Sequence, residues 1–127
     1  MIVVDTSAIM AVLLREAPGE ACSKVLDLEE DLQISAGTFA EVLIVAAGRR
    51  IARRASDLVE QLGIAIIPAT EATARQVGAA YERWGKGFHA ASLNFGDCFA
   101  YALAKERGCP LLYVGGDFSK TDIKSAI

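Results

Sequence analysis

Apolar residues gather into short unbroken runs, separated by longer stretches in which they recur every three or four positions. The runs are "IVV" at 2–4, "LQIS" at 32–35, "IAIIP" at 64–68 and "PLLYV" at 110–114. Runs of this length without polar alternation predict strands covered on both faces, as in parallel sheets. Helical spacing dominates between them. Thr6 or Ser7 caps a helix through about Leu14, and Pro18 opens a second that reaches roughly Glu30. Gly37-Thr38 turns from the second strand into a long helical region. Its stripe of Val42, Leu43, Ala46 and Ala47 runs on into Arg49, Arg50, Arg53 and Arg54, which cannot share a buried face. Ile51, Ala55, Leu58, Val59 and Leu62 form a separate stripe, so at about 100° per residue two helices are predicted, broken or re-aimed near Gly48. Thr70 begins a further helix ending near Gly85, "GKGFHAASLNFG" is a loop, and Phe95 to Arg107 is a helix closed by Gly108.

Strands alternating with helices predict an α/β fold with three layers, α/β/α: a short, mostly parallel sheet with helices on both faces. Ligands of such sheets bind beyond the carboxyl ends of the strands, where the strand order reverses. Residues 1–127 make one domain, and a hydrophobic fraction of 53% excludes disorder. No apolar run approaches the roughly 20 residues of a membrane-spanning helix, and the start lacks the basic region of a secretory signal. Cys22, Cys98 and Cys109 form neither a CxxC pair nor an even disulfide framework. A cytoplasmic protein with no membrane partner is therefore expected. The net charge of −3 argues against indiscriminate coating of nucleic acid. It leaves room for a nuclease, whose acidic site a bound cation offsets.

Four acids fall at the expected ligand-binding edge. Asp5 ends the first strand, Glu41 lies in the first turn after the second, Asp97 lies near the start of the helix before the fourth, and Asp117 follows the fourth. Taken singly, each has a local explanation. Thr38 to Glu41 and Asn94 to Asp97 have capping-box spacing, Asp5 can bond the amides of the next helix, and Asp117 suits a turn. A cap is worth about 1 kcal/mol. Two carboxylates about 4 Å apart repel by about 4 kcal/mol at an effective dielectric near 20. Convergence is therefore tolerable only with protons or cations between the acids. Their all-oxygen donor set suits Mg²⁺ or Mn²⁺. A divalent ion at such a site activates water for attack on a phosphodiester and stabilises the developing oxyanions. Asp5 is thus expected to be a ligand, with Thr6 or Ser7 capping the helix and Ser7 also orienting a water or a phosphate.

"VVDTSAIMAVL", "TFAEVLIV", "LNFGDCFAYALAKERGCPLLYVGGDF" and the closing "KTDI" resemble the PIN-domain ribonucleases, specifically the VapC-type toxins of type II toxin–antitoxin pairs. The resemblance spans essentially the whole chain. It implies a single PIN-like domain and a metal-dependent endoribonuclease, with Asp5, Glu41 and Asp97 as the main ligands of Mg²⁺ or Mn²⁺. Asp117 matches the fourth acidic position. Many relatives carry an acidic or polar residue two places earlier, where this chain has Gly115. The fourth ligand is then Asp117, Asp122 through the "KTDI" turn, or a water. The resemblance further implies an RNA substrate, a cognate antitoxin that wraps the toxin and blocks its site, a toxin homodimer and a toxin–antitoxin hetero-oligomer.

Arg49, Arg50, Arg53 and Arg54, with Lys86, are either solvated or serve as phosphate contacts that guide RNA, or dock an acidic antitoxin segment. His89, the only histidine, has no companions for a triad or zinc site. It reads as a loop residue, the alternative being a phosphate contact beside Lys86. Phe95, Phe99 and Tyr101 read as packing, and no stacking platform for bases is visible. Tyr81 and Trp84 are core or a partner groove. Ile9, Val12, Leu13, Val25, Leu26 and Leu28 exceed one core-facing stripe, which hints at a dimer or antitoxin surface. A haloacid-dehalogenase phosphatase would carry an Asp where Ser7 stands, and neither GxGxxG nor a Walker loop occurs. The non-enzyme alternative is a catalytically degenerate PIN-like module that binds RNA or protein, and intact Asp5, Glu41 and Asp97 weigh against it.

Overall fold

A strand made only of Ile2, Val3 and Val4 has no polar side to show to water, and it lies inside the sheet. The computed structural model describes residues 1–127. It sets β1 (Ile2–Val4) between β2 (Leu32–Ser35) and β4 (Leu111–Leu112), with β3 (Ala65–Ile67) outside β2, all parallel. Successive side chains of β1 point to opposite faces. Val3 enters a core with Trp84, Leu93, Tyr101, Leu111 and Phe118. Val4 enters a second core with Ile9, Leu26, Ile34, Val42 and Leu112. Helices α1 (Thr6–Leu13), α2 (Gly19–Leu28), α3 (Ala36–Gly48) and α4 (Ala52–Gln61) supply the second core. Helices α5 (Glu71–Trp84) and α6 (Phe95–Arg107) supply the first. These are the three layers expected. The order β3-β2-β1-β4 reverses at β1, so the ligand crevice of such a sheet lies past the ends of β1 and β4.

Several local expectations are corrected. β4 keeps only Leu111 and Leu112 of its apolar run, because the Val114 amide donates to the Ser7 hydroxyl instead of to a strand. β3 is an edge strand, and Ile66 is 46% exposed, so its apolar run does not signal burial on both faces. Ser35, not Thr38, caps α3, accepting from the Gly37 amide at 3.3 Å. Thr38 is buried with its hydroxyl unpaired, and Glu41 lies a turn further into the helix than a capping box requires. The break after Gly48 occurs, but the reversal is made at Arg50, whose φ is 59°. Of the apolar excess on α1 and α2, Ile9 and Leu26 are core, and Leu28 is exposed together with Ile44 and Val45 of α3. Asn94 and Gly108 bound α6 as expected, Gly108 in the left-handed region. The three cysteines are free thiols, Cys22 and Cys98 buried. No helix is long and apolar enough to cross a membrane.

Phe118 is 1% exposed, 5.1 Å from Tyr113 between ring centroids, and it pins the segment after β4 onto the first core. Phe118→Ala is expected to destabilise the fold by about 3–5 kcal/mol, read as a lowered urea midpoint at unchanged m-value.

Candidate functional site

Asp5 follows β1 directly and is 4% exposed. Its amide donates to the Leu112 carbonyl at 2.9 Å, which locks it to the end of β4. Its Oδ2 accepts from the Ser7 amide at 3.0 Å and the Ser7 hydroxyl at 2.6 Å. Asp5 itself is therefore the cap of α1, which corrects the expectation that Thr6 or Ser7 would take that role. The Ser7 hydroxyl also accepts from the Val114 amide at 2.9 Å. Its only proton is committed to Asp5, so it holds the site together instead of donating to a water or phosphate. The other oxygen of Asp5, Oδ1, is buried without any partner.

Released from capping, Thr6 donates its hydroxyl to Glu41 Oε1 at 2.5 Å. The carboxylate of Glu41 lies against Gly96, where a Cβ would overlap it. Gly96 stands one residue before Asp97, so its missing side chain lets the two acids approach. Asp97 and Asn94 form a reciprocal pair: the Asp97 amide donates to Asn94 Oδ1 at 2.8 Å, and the Asn94 amide donates to Asp97 Oδ2 at 3.0 Å. Asp97 is thus both a capping-box residue and a member of the cluster. Each of these three acids has one oxygen held by the protein and a second that no protein group holds.

The electrostatics show which acids share one field. Burial pushes Asp5 up to about 6, with the Glu41 charge adding to the rise against the Ser7 bonds. Burial pushes Asp97 up to about 7, and the charges of Asp5, Asp117 and Glu41 add to it. Asp117 itself is exposed. Asp122 belongs elsewhere: it accepts from the Tyr101 hydroxyl at 2.6 Å and Lys105 at 3.1 Å, with Arg83 at 3.8 Å. Those partners, Tyr101 first, hold its carboxyl below the usual range. Of the two residues considered for the fourth acidic position, Asp117 is the one within the cluster's field. No three acidic, histidine or cysteine side chains stand at metal-coordinating spacing. Like charges with no cation among them favour such separation. The donor chemistry nevertheless fits a hard divalent ion, with the orphaned Asp5 Oδ1 as its clearest sign.

Arg49, Arg50, Arg53 and Arg54 are exposed and make no ion pair, and the structure does not bring them to the acids. Arg49 follows Glu41 by about 12 Å along the axis of α3. Lys86 is exposed near Asn94, both lining one groove. His89 is a loop residue: its Nδ1 accepts from the Ala91 amide at 2.9 Å and its ring stands edge-on to Trp84. Phe99 and Tyr101 pack as expected, whereas Phe95 is 72% exposed. Trp84 is core and donates to the Tyr101 hydroxyl at 2.8 Å. The supporting roles of Thr6, Asn94 and Gly96 escaped the sequence analysis. Only the Asn94–Asp97 spacing carried a signal, and that signal pointed to a cap.

The profile of the PIN domain family matches residues 2–124. The ribonuclease VapC28 of Mycobacterium tuberculosis is 40% identical over 129 aligned residues, covering 98% of this chain and 97% of that protein. Among solved structures, the sarcin-ricin loop cleaving toxin VapC20 of Mycobacterium tuberculosis shares the fold, with a TM-score of 0.78 at 19% identity, covering 97% of this chain and 96% of the other. A chain of a toxin–antitoxin complex from Klebsiella pneumoniae superposes with a TM-score of 0.69 at 18% identity, covering 96% and 93%.

In the absence of a divalent ion, folded Asp5 and Asp97 keep their protons to about pH 6 and about pH 7, against an ordinary value of 3.8. The folded state then binds more protons than the unfolded chain across that interval, so stability falls as pH rises from about 4 through about 7. Asp97→Asn is expected to remove most of this slope and, at pH 8 in chelator, to exceed the wild type by about 1–2 kcal/mol after allowance for solvent screening. Thermal melts from pH 5 to pH 8 check this through the difference between variant and wild type. A variant that parallels the wild type at every pH would mean that the Asp97 carboxyl is not raised in the folded state.

Proposed function

The chain belongs to the PIN domain family, and on that premise we propose that it is a VapC-type endoribonuclease, the toxin of a toxin–antitoxin pair, that hydrolyses RNA phosphodiesters with a divalent metal ion. The observation that carries this reading is the buried, unpartnered Oδ1 of Asp5 in the field of Glu41 and Asp97. Leaving a carboxylate oxygen buried and unpaired is costly unless something else binds it. Asp5, Glu41 and Asp97 would hold the ion, Mg²⁺ by the hardness of the donors and Mn²⁺ as its near substitute. When bound, the ion supplies Lewis-acid activation of water and offsets charge on the phosphate.

The chain's own residues do the positioning. Ser7 fixes Asp5, Thr6 fixes Glu41 and Asn94 fixes Asp97, each through one oxygen. Asp117, exposed and adding to the same field, completes the shell from the solvent side. The arginines at 49, 50, 53 and 54 are free cations for the RNA backbone further from the cut, and Lys86, in the groove with Asn94, is a free cation nearer to it. An antitoxin protein is the cognate partner, in a hetero-oligomer built on a toxin homodimer.

Cleavage of a mixed RNA pool by antitoxin-free protein tests the reading, run with Mg²⁺, with Mn²⁺, with chelator and with variants. Products are expected only with the metal and are expected to vanish in Asp97→Asn. Gly96→Ala, whose Cβ displaces Glu41, is expected to lower the rate by about 10- to 100-fold while the fold is retained. Cutting in chelator, or by Asp97→Asn at the wild-type rate, would sink the assignment. RNA binding with neither cleavage nor metal uptake would establish the degenerate binding module instead.

A further inference from the structure

Phe95 opens α6 two residues before Asp97, and its ring is 72% exposed. A lone exposed aromatic residue carries little meaning, but this one has a built setting. Its ring stands edge-on to Phe99, with centroids 5.1 Å apart and planes at 86°. The Phe99 ring in turn occupies the space over Gly37 where a side chain would otherwise be. Phe95 is thereby packed against Phe99 and otherwise open to solvent. It walls a groove of about 560 Å³ whose other side is α5, where Val77, Gly78 and Tyr81 line it. A Cβ on Gly78 would meet nothing within 4 Å, so the groove is open there. Its polar members are Lys86, which makes no ion pair, and Asn94, the residue that holds Asp97. An aromatic face, a flat apolar wall and an uncommitted cation thus adjoin the acidic cluster.

We propose that this groove takes one unpaired nucleobase of the RNA substrate, stacked on Phe95, with a phosphate of the same nucleotide paired to Lys86. The proposal rests on the nuclease reading and adds a base-binding subsite to it. An aromatic ring accepts any base on its π-face, and a lysine neutralises a phosphate whatever base it carries. A nucleotide is favoured over a peptide side chain because Asn94, which lines the groove, is bonded to Asp97, so the groove borders the acids where a phosphodiester must lie to be cut. The nucleotide beside that bond then falls next to Phe95. A base in a duplex cannot present its face, so the substrate must be single-stranded or looped out at this point.

Binding and cleavage are measured separately. Short single-stranded oligoribonucleotides carrying one 2-aminopurine at successive positions are titrated with the full chain in chelator. Quenching is expected at one position, beside the cleaved bond, and is expected to be lost in Phe95→Ala and kept in Phe95→Trp. In cleavage with Mg²⁺, Phe95→Ala should raise KM by about 10-fold, with a smaller effect on kcat. An abasic site at the quenched position should raise the wild-type KM by a similar factor and leave that of Phe95→Ala unchanged. Gly78→Leu provides an independent check, because it fills the groove while favouring the helix. Its thermal midpoint should rise while KM also rises, a combination that a purely structural role does not produce. RNA binding and cleavage by both variants as in the wild type would overturn the subsite and leave the nuclease reading intact. A wild type that cuts no RNA but shows Phe95-dependent quenching would support the subsite and remove the nuclease reading. No quenching at any position overturns the subsite.

Discussion

A carboxylate sealed at the end of a strand that is itself covered on both faces is the constraint to which the rest of this molecule answers. Asp5 cannot retreat to water, because β1 is the interior strand and its neighbours close over it on each side. The protein satisfies one oxygen generously and leaves the other unpaired. Everything nearby follows from that division. The Ser7 hydroxyl, pulled in to serve Oδ2, becomes the acceptor that diverts Val114 from the sheet and ends β4 early. That early ending lets the chain turn through Gly115, at φ 95°, and bring Asp117 into the field of Asp97.

Capping and ligand roles are commonly weighed against each other for an acid at a helix start. Here the first leaves room for the second, since a carboxylate has two oxygens and a cap needs only one. Asp5 caps α1 and Asp97 closes a capping box with Asn94, while each retains an oxygen for other use. The arrangement also fixes orientation: the bond that stabilises the helix selects the side-chain rotamer, so the second oxygen is aimed in advance. Preorganisation of this kind reduces what a ligand must supply to order its own site.

Most of the architecture was legible because it depends on short-range regularities: apolar runs, helical spacing, and the stops at Pro68 and Gly108. The acids were legible because topology places every strand end on one edge. What stayed hidden depends on contacts between distant segments. Gly96 looks like any helical glycine until Glu41 of α3 is laid against it. Thr38 has the spacing of a cap, but Ser35 sits nearer the turn and takes the role. β3 is as apolar as an interior strand, yet nothing pairs with its outer edge. Phe95 and Phe99 are one helical turn apart and look equivalent in sequence. Only Phe99 finds a glycine to pack on, and Phe95 is left standing over it.

Trp84, the chain's only tryptophan, ends α5 and lies in the core that α5 and α6 share. Its indole donates to Tyr101, which donates in turn to Asp122, while the edge of His89 and the guanidinium of Arg83 lie against its ring. The emission of a single indole so enclosed belongs to one place in the molecule. It reports whether α5 and α6 remain docked, free of any contribution from the layer built by α1 to α4. The protein therefore carries an intrinsic optical label on one of its two cores, by which loosening of that layer can be told apart from collapse of the whole.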